Sequence, residues 1–95
     1  MGLLAMLLVL LAPCGLGDAG KLARADGDGE IWVEVVSKDE WSVGLVNRGE
    51  KTISLDVIWT EIGLPVRVRT KRGVVHGGFA EKLAPGACSL YRVKR

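Results

Sequence analysis

Residues 41–65, WSVGLVNRGEKTISLDVIWTEIGLP, decide the fold. Val43 and Leu45 alternate with Ser42, Gly44 and Val46, and Ile53, Leu55, Val57 and Trp59 alternate with Ser54, Asp56, Ile58 and Thr60. A period of two sends successive side chains to opposite faces of a strand. One apolar set against one mixed set describes a strand with a single face in a core. Asn47-Arg48-Gly49-Glu50-Lys51 lies between the runs. Asn and Gly tolerate the positive φ that tight hairpin turns require, so the two runs read as strands joined by a tight turn. Ile62-Gly63-Leu64-Pro65 then ends the alternation with turn chemistry.

Working outward, the same alternation predicts strands over 30–37, 41–47, 51–60, 66–70 and 87–93, with a weaker one over 74–82 interrupted by Gly77-Gly78. Turns fall at 38–40, 47–50, 62–65, 71–73 and 85–86. Turn signals about 8–12 residues apart suit a sandwich or barrel. The expected fold is all-β, a small antiparallel β-sandwich with Greek-key-like connections, preceded by a hydrophobic N-terminal segment. The organisation expected is a signal peptide over 1–19, a flexible Gly/Asp-rich lead-in over 20–29, and the sandwich over 30–95. A chain of 95 residues supports one domain.

Several segments together resemble the C-terminal β-sandwich domain of alpha-galactosidases. They are Val46-Asn47-Arg48-Gly49, Trp59, and Ile62-Gly63-Leu64-Pro65, flanked by Asp26-Gly27-Asp28-Gly29-Glu30-Ile31-Trp32-Val33, the run 65–69 and Ala84-Pro85-Gly86-Ala87-Cys88-Ser89-Leu90-Tyr91-Arg92-Val93. The likeness covers residues 21–93, and the order and spacing of the segments carry it. In that family the sandwich follows a catalytic (β/α)8 barrel and packs beside it. The resemblance therefore implies a non-catalytic accessory domain, a barrel or a glycan as partner, and an association with carbohydrate metabolism. A barrel needs about 250 residues, and no segment matches the family's two catalytic aspartates, so no catalytic residue is carried over and hydrolase activity is not expected. Where family members carry Asp-Leu-Trp after the Val-Arg-Val-Arg-like strand, this chain has Thr70-Lys71-Arg72-Gly73. A secreted carbohydrate-binding module and a truncated alpha-galactosidase fragment are the alternatives.

Residues 3–12, LLAMLLVLLA, form an uncharged apolar run of ten. A spanning helix needs ~20 residues, so no stable membrane span is expected. The length suits the core of a secretory signal, with Gly17-Asp18-Ala19 supplying small residues for cleavage after Ala19. The chain is then secreted, or held in the secretory pathway or a vacuole. Leu11-Ala12-Pro13-Cys14 loosely matches a lipobox, and residues 13–20 resemble a barrel-to-sandwich connection. If residues 1–19 are removed, Cys88 is left as the sole cysteine, and a lone strand cysteine is expected to pack as a small apolar residue without a disulfide.

The charge balance excludes little. Formal net charge is +2, from 13 basic and 11 acidic residues. Arg67, Arg69 and Lys71 share one strand face, which reads as a solvated face rather than a nucleic-acid stripe, because no aromatics interleave them. The single histidine, His76, cannot make a metal site alone, and no cofactor is expected. Trp41 and Trp59 are in phase with core positions. Trp32 is in phase with Glu34 and Val36, opposite Ile31, Val33 and Val35, and is the candidate for exposure and for contact with a glycan or a barrel.

Overall fold

The computed structural model describes residues 15–16 and 20–95. The expected signal peptide, lipobox and connecting segment lie largely outside these residues. Among the described residues eight strands form in chain order: β1 (Lys21–Asp26), β2 (Gly29–Ser37), β3 (Glu40–Asn47), β4 (Ile53–Ile58), β5 (Arg67–Thr70), β6 (Gly73–His76), β7 (Gly78–Leu83) and β8 (Cys88–Lys94), with one 3₁₀ turn at Trp59–Ile62. Every pairing is antiparallel. A six-stranded sheet runs β1-β2-β3-β8-β5-β6, and a two-stranded sheet pairs β4 with β7. The return of β8 to lie beside β3, after two intervening strands of the other sheet, is the Greek-key-like connection of the all-β sandwich.

Alternation places the core. Register rows across the large sheet align Ile31 with Leu45, Val33 with Val43 and Tyr91, and Trp41 with Val93, while Val35 at the end of the last row is exposed. These inward rows meet Leu55 and Val57 of β4 and Leu83 of β7, and the cluster closes over Trp59, Ile62, Leu64 and Val68. Trp59 is fully buried at its centre and starts an aromatic ladder, 5.4 Å to Phe79 and 5.1 Å from Phe79 to Tyr91 between ring centroids. Such tilted and edge-on pairs are the favoured aromatic geometries. The expected burial of Trp41 and Trp59 is therefore found.

The decisive stretch differs from its reading in one respect. β3 and β4 belong to different sheets, so the connection at Asn47–Lys51 is a corner between layers rather than a hairpin turn. Gly49 does not have positive φ. The corner is set by hydrogen bonds of Asn47, described below. The second strand is also shorter than expected, Ile53–Ile58, because the chain winds into the 3₁₀ turn at Trp59 and stops at Gly63, whose φ of 86° is left-handed.

The interrupted strand over 74–82 divides in the same way. β6 stays in the large sheet and β7 joins β4 in the small one. The pivot is Gly77-Gly78, with φ of 76° and 152°. A Cβ on Gly78 would fall inside the van der Waals radius of the Val57 carbonyl oxygen, so only glycine lets the two backbones approach there.

The residues expected as a flexible lead-in instead form β1, which pairs with β2 from Lys21↔Val33 to Asp26↔Gly29. Charged residues hid it: Lys21, Arg24 and Asp26 sit on a sheet edge, where charge deters edge-to-edge pairing. An ion pair from Arg24 to Glu61 ties this strand to the 3₁₀ turn.

Candidate functional site

The candidate surface is the outer face of the large sheet around Trp32. Alternation along β2 turns Trp32 away from the core that Ile31 enters. The expected exposure is not what the structure holds, for Trp32 is only 8% exposed. Its indole Nε1 donates to Glu30 Oε1 at 2.9 Å, and Arg48 Nε donates to the same oxygen at 3.1 Å. Glu30 thus pins the indole, and Arg48 at the layer corner pins Glu30. The ring lies in a row with Leu22 on β1, Gly44 on β3 and Leu90 on β8. Gly44 leaves the middle of that row without a side chain. Leu22 and Leu90 at its ends are largely exposed.

Asn47 is the residue that sequence reasoning read only as a turn former. It is fully buried. Its Nδ2 donates to the carbonyls of Lys51 (2.7 Å), Leu83 (3.1 Å) and Ala84 (3.2 Å), and its Oδ1 accepts from Gly49 N at 2.9 Å. Its backbone N–H donates to Ala87 O and its carbonyl accepts from Gly86 N, both at 3.0 Å. Arg48 N–H donates to Asp28 O at 2.7 Å. One side chain therefore joins the β3–β4 corner to the β7–β8 corner, a role that sequence alternation does not signal.

At the opposite end, Ser37, Asp39, Glu40, Arg69, Lys94 and Arg95 line a surface cavity of about 250 Å³. Several of its charged groups engage one another or a neighbour. Arg95 Nε donates to Asp39 Oδ1 at 3.0 Å, Arg92 Nη1 to Glu40 Oε2 at 3.2 Å, and Arg69 reaches the Arg95 carbonyl through Nε and Nη2 at 3.2 and 3.0 Å. The Arg95 guanidinium also stacks 5.5 Å from the centroid of the Trp41 ring. The basic face expected on β5 is exposed at Arg67 and Arg69, over a fully buried Val68.

Glycoside hydrolysis needs two carboxyl groups flanking the scissile bond. Glu30, Asp39, Glu40 and Glu61 are each paired with an arginine, and Glu81 accepts from the Tyr91 hydroxyl. Burial, then the hydrogen bond to Glu81 and the charge of that carboxylate, push the Tyr91 phenol up to about 12, so it is protonated near neutrality. His76 is exposed at the end of β6, and among the described residues no group of three or more His, Cys, Asp and Glu could hold a metal ion. No helix among the described residues is long and apolar enough to cross a membrane.

Cys88 departs from its expectation twice. It is exposed at the start of β8, and it is held in a disulfide.

No family model matches the chain. Alpha-galactosidase 2 of Arabidopsis thaliana is 32% identical over 89 residues, covering 84% of this chain and 22% of that protein. An alpha-galactosidase of Coffea arabica is 36% identical over 50 residues, covering 53% of this chain and 13% of its own length. Among solved structures, a GH27 β-L-arabinopyranosidase from Geobacillus stearothermophilus superposes with a TM-score of 0.69 at 19% identity, over 80% of this chain and 19% of that one. The chain spans about a fifth or less of each of these proteins.

Proposed function

We propose, taking as premise that the chain is homologous to a small part of alpha-galactosidases, that it is the non-catalytic accessory sandwich of that family, built to pack beside a (β/α)8 barrel. One observation carries the reading. The matched part amounts to 22% of the Arabidopsis protein, yet it closes a two-sheet sandwich around its own core. The likeness to a β-L-arabinopyranosidase supports it further, since a scaffold shared between enzymes named for different sugars is not what selects the sugar. The outer face around Trp32, with Leu22 and Leu90, is the surface proposed to seat a neighbouring layer. A pinned indole showing 8% of its surface offers little ring face to a pyranose, which favours packing over glycan stacking. The disulfide at Cys88 supports placement in an oxidising compartment such as the secretory pathway.

A chimera tests the reading. The matching C-terminal part of the Arabidopsis enzyme is replaced by residues 20–95 of this chain. The reading expects an active, soluble barrel whose kcat is within a few-fold of the parent's. A chimera that folds but has no hydrolase activity, while the parent retains it, refutes the proposed seat.

A further inference from the structure

Strand pairing gathers cations that lie far apart in the sequence. Lys94 of β8 stands directly opposite Arg69 of β5. Arg92 lies two residues to one side of that row and Arg67 two residues to the other. Alternation turns all four to the outer face of the large sheet, where they are exposed. At about 3.3 Å per residue they form a track roughly 13 Å long. Arg92 is paired with Glu40. Among the described residues Arg67, Arg69 and Lys94 have no carboxylate partner.

The cavity bounded by Asp39, Glu40, Arg69, Lys94 and Arg95 borders the middle of this track. Its groups are fixed in place. Arg95 N–H donates to the Asp39 carbonyl at 2.7 Å, while the Arg95 guanidinium pairs with Asp39 Oδ1 and stacks on Trp41. Arg69 holds the Arg95 carbonyl through Nε and Nη2, which leaves Nη1 for a ligand. The pairs with Arg95 and Arg92 use Asp39 Oδ1 and Glu40 Oε2, which leaves Asp39 Oδ2 and Glu40 Oε1 as acceptors. The cavity therefore presents uncompensated positive charge and two carboxylate acceptors side by side.

We propose that this cavity binds an acidic sugar, a uronate or a sulfated pyranose, as one residue of a polysaccharide whose further charges run along the Arg92–Lys94–Arg69–Arg67 track.

The mixture of donors and acceptors selects that class. The acid group of such a sugar takes charge-assisted hydrogen bonds from Lys94 and Arg69. Its neighbouring hydroxyls donate to Asp39 and Glu40, since ionised carboxylates only accept. A DNA backbone has no donor for those carboxylates and is repelled by them. The outer face of the track also carries no aromatic side chain on which bases could stack. A volume of about 250 Å³ is below the roughly 300–1,000 Å³ of drug-sized pockets, as one sugar ring requires. Lys94 lies four residues from Leu90, roughly 13 Å along β8, so a layer seated on the Trp32 row leaves the cavity open. The site does not depend on the accessory reading, because it follows from the cavity and the strand register alone.

Isothermal titration of the full chain with oligogalacturonate, whose acid groups are carboxylates, and with dextran sulfate tests the site. Saturable binding to at least one is expected, and the one bound tells whether the cavity takes a carboxylate or a sulfate. Lys94→Ala should weaken that binding about tenfold or more, the loss of one charge-assisted hydrogen bond. Glu40→Ala separates recognition from plain charge attraction. It deletes an acid and frees Arg92, so undirected attraction to a basic face makes binding tighter. Loss of an acceptor for a sugar hydroxyl makes it weaker, by about threefold or more, which is the result expected. Near-UV circular dichroism checks that each variant keeps the parent fold. The proposal is overturned if neither glycan binds at low salt, or if neutral dextran or duplex DNA binds as tightly as the acidic glycan. It is equally overturned if Lys94→Ala changes nothing, or if folded Glu40→Ala binds as well as the parent or better.

Discussion

Replacing Asn47 with alanine tests how the two layers are joined. The side chain makes three donor contacts through two amide hydrogens and accepts one backbone N–H. The contact to Leu83 O is buried, whereas those to Lys51 O and Ala84 O are only partly so and regain water once the amide is gone. One buried carbonyl left unpaired costs about 1–3 kcal/mol, and each further lost hydrogen bond about 1 kcal/mol net. With two amide hydrogens and one acceptor the sum is roughly 3–5 kcal/mol. Total stability for a domain of this size is about 5–14 kcal/mol, and each kcal/mol moves Tm by about 4–8 °C, so Asn47→Ala should lower Tm by roughly 12–40 °C. Urea unfolding followed by tryptophan fluorescence reads the change, with the m-value confirming that the same surface unfolds. Asn47→Asp is the control. It keeps an acceptor for Gly49 but turns a carboxylate toward three carbonyls, and should be at least as damaging at neutral pH. A loss below about 1 kcal/mol for the alanine variant would refute the corner's role, because it would mean that water replaces the amide throughout.

Three further outcomes follow from the same geometry. Gly78→Ala meets the Val57 carbonyl and a φ of 152° that alanine rarely adopts, so it should cost at least about 1–3 kcal/mol, measured by the same urea titration; an unchanged midpoint contradicts the pivot. Arg24→Ala removes an ion pair whose side chains are 37% and 46% exposed, so the change should stay within about 1 kcal/mol and shrink with salt. Tyr91 is the only tyrosine, so tyrosinate absorbance reports it directly, with a midpoint expected near 12 rather than 10. The unfolded phenol ionises first. Its contribution to stability is therefore fully present below pH 10 and is lost as pH rises toward 12. The difference between the parent and Tyr91→Phe in unfolding experiments should shrink over that window, and a constant difference contradicts it.

The strands and the core were legible because alternation is a backbone property. Val43, Leu45, Leu55, Val57 and Trp59 fall inside as their phase requires. What alternation does not encode is which sheet a strand joins. β3 and β4 read as a hairpin because Asn and Gly between two apolar runs is hairpin chemistry, yet Asn47 spends its side chain on carbonyls of two different connections. β6 and β7 read as one broken strand because sequence cannot show that the Val57 carbonyl stands against Gly78. β1 was hidden by edge charges. The phase of Trp32 was right and its exposure was not, because the partner that folds the indole down, Glu30, is held by Arg48 from another element. Cys88 read as a buried thiol because strand phase gives a face and says nothing of covalent partners.

The central proposal is that this sandwich, homologous to a small part of alpha-galactosidases, does not carry out their chemistry. The purified full chain, incubated with a nitrophenyl α-galactoside while near-UV circular dichroism is recorded on the same sample, tests it most directly. A folded spectrum from the packed tryptophans with no release of nitrophenol above the buffer rate is the result expected. A folded spectrum with turnover that survives repurification would contradict the account, because it would require a pair of catalytic carboxyl groups that the ion-paired carboxylates described above do not provide.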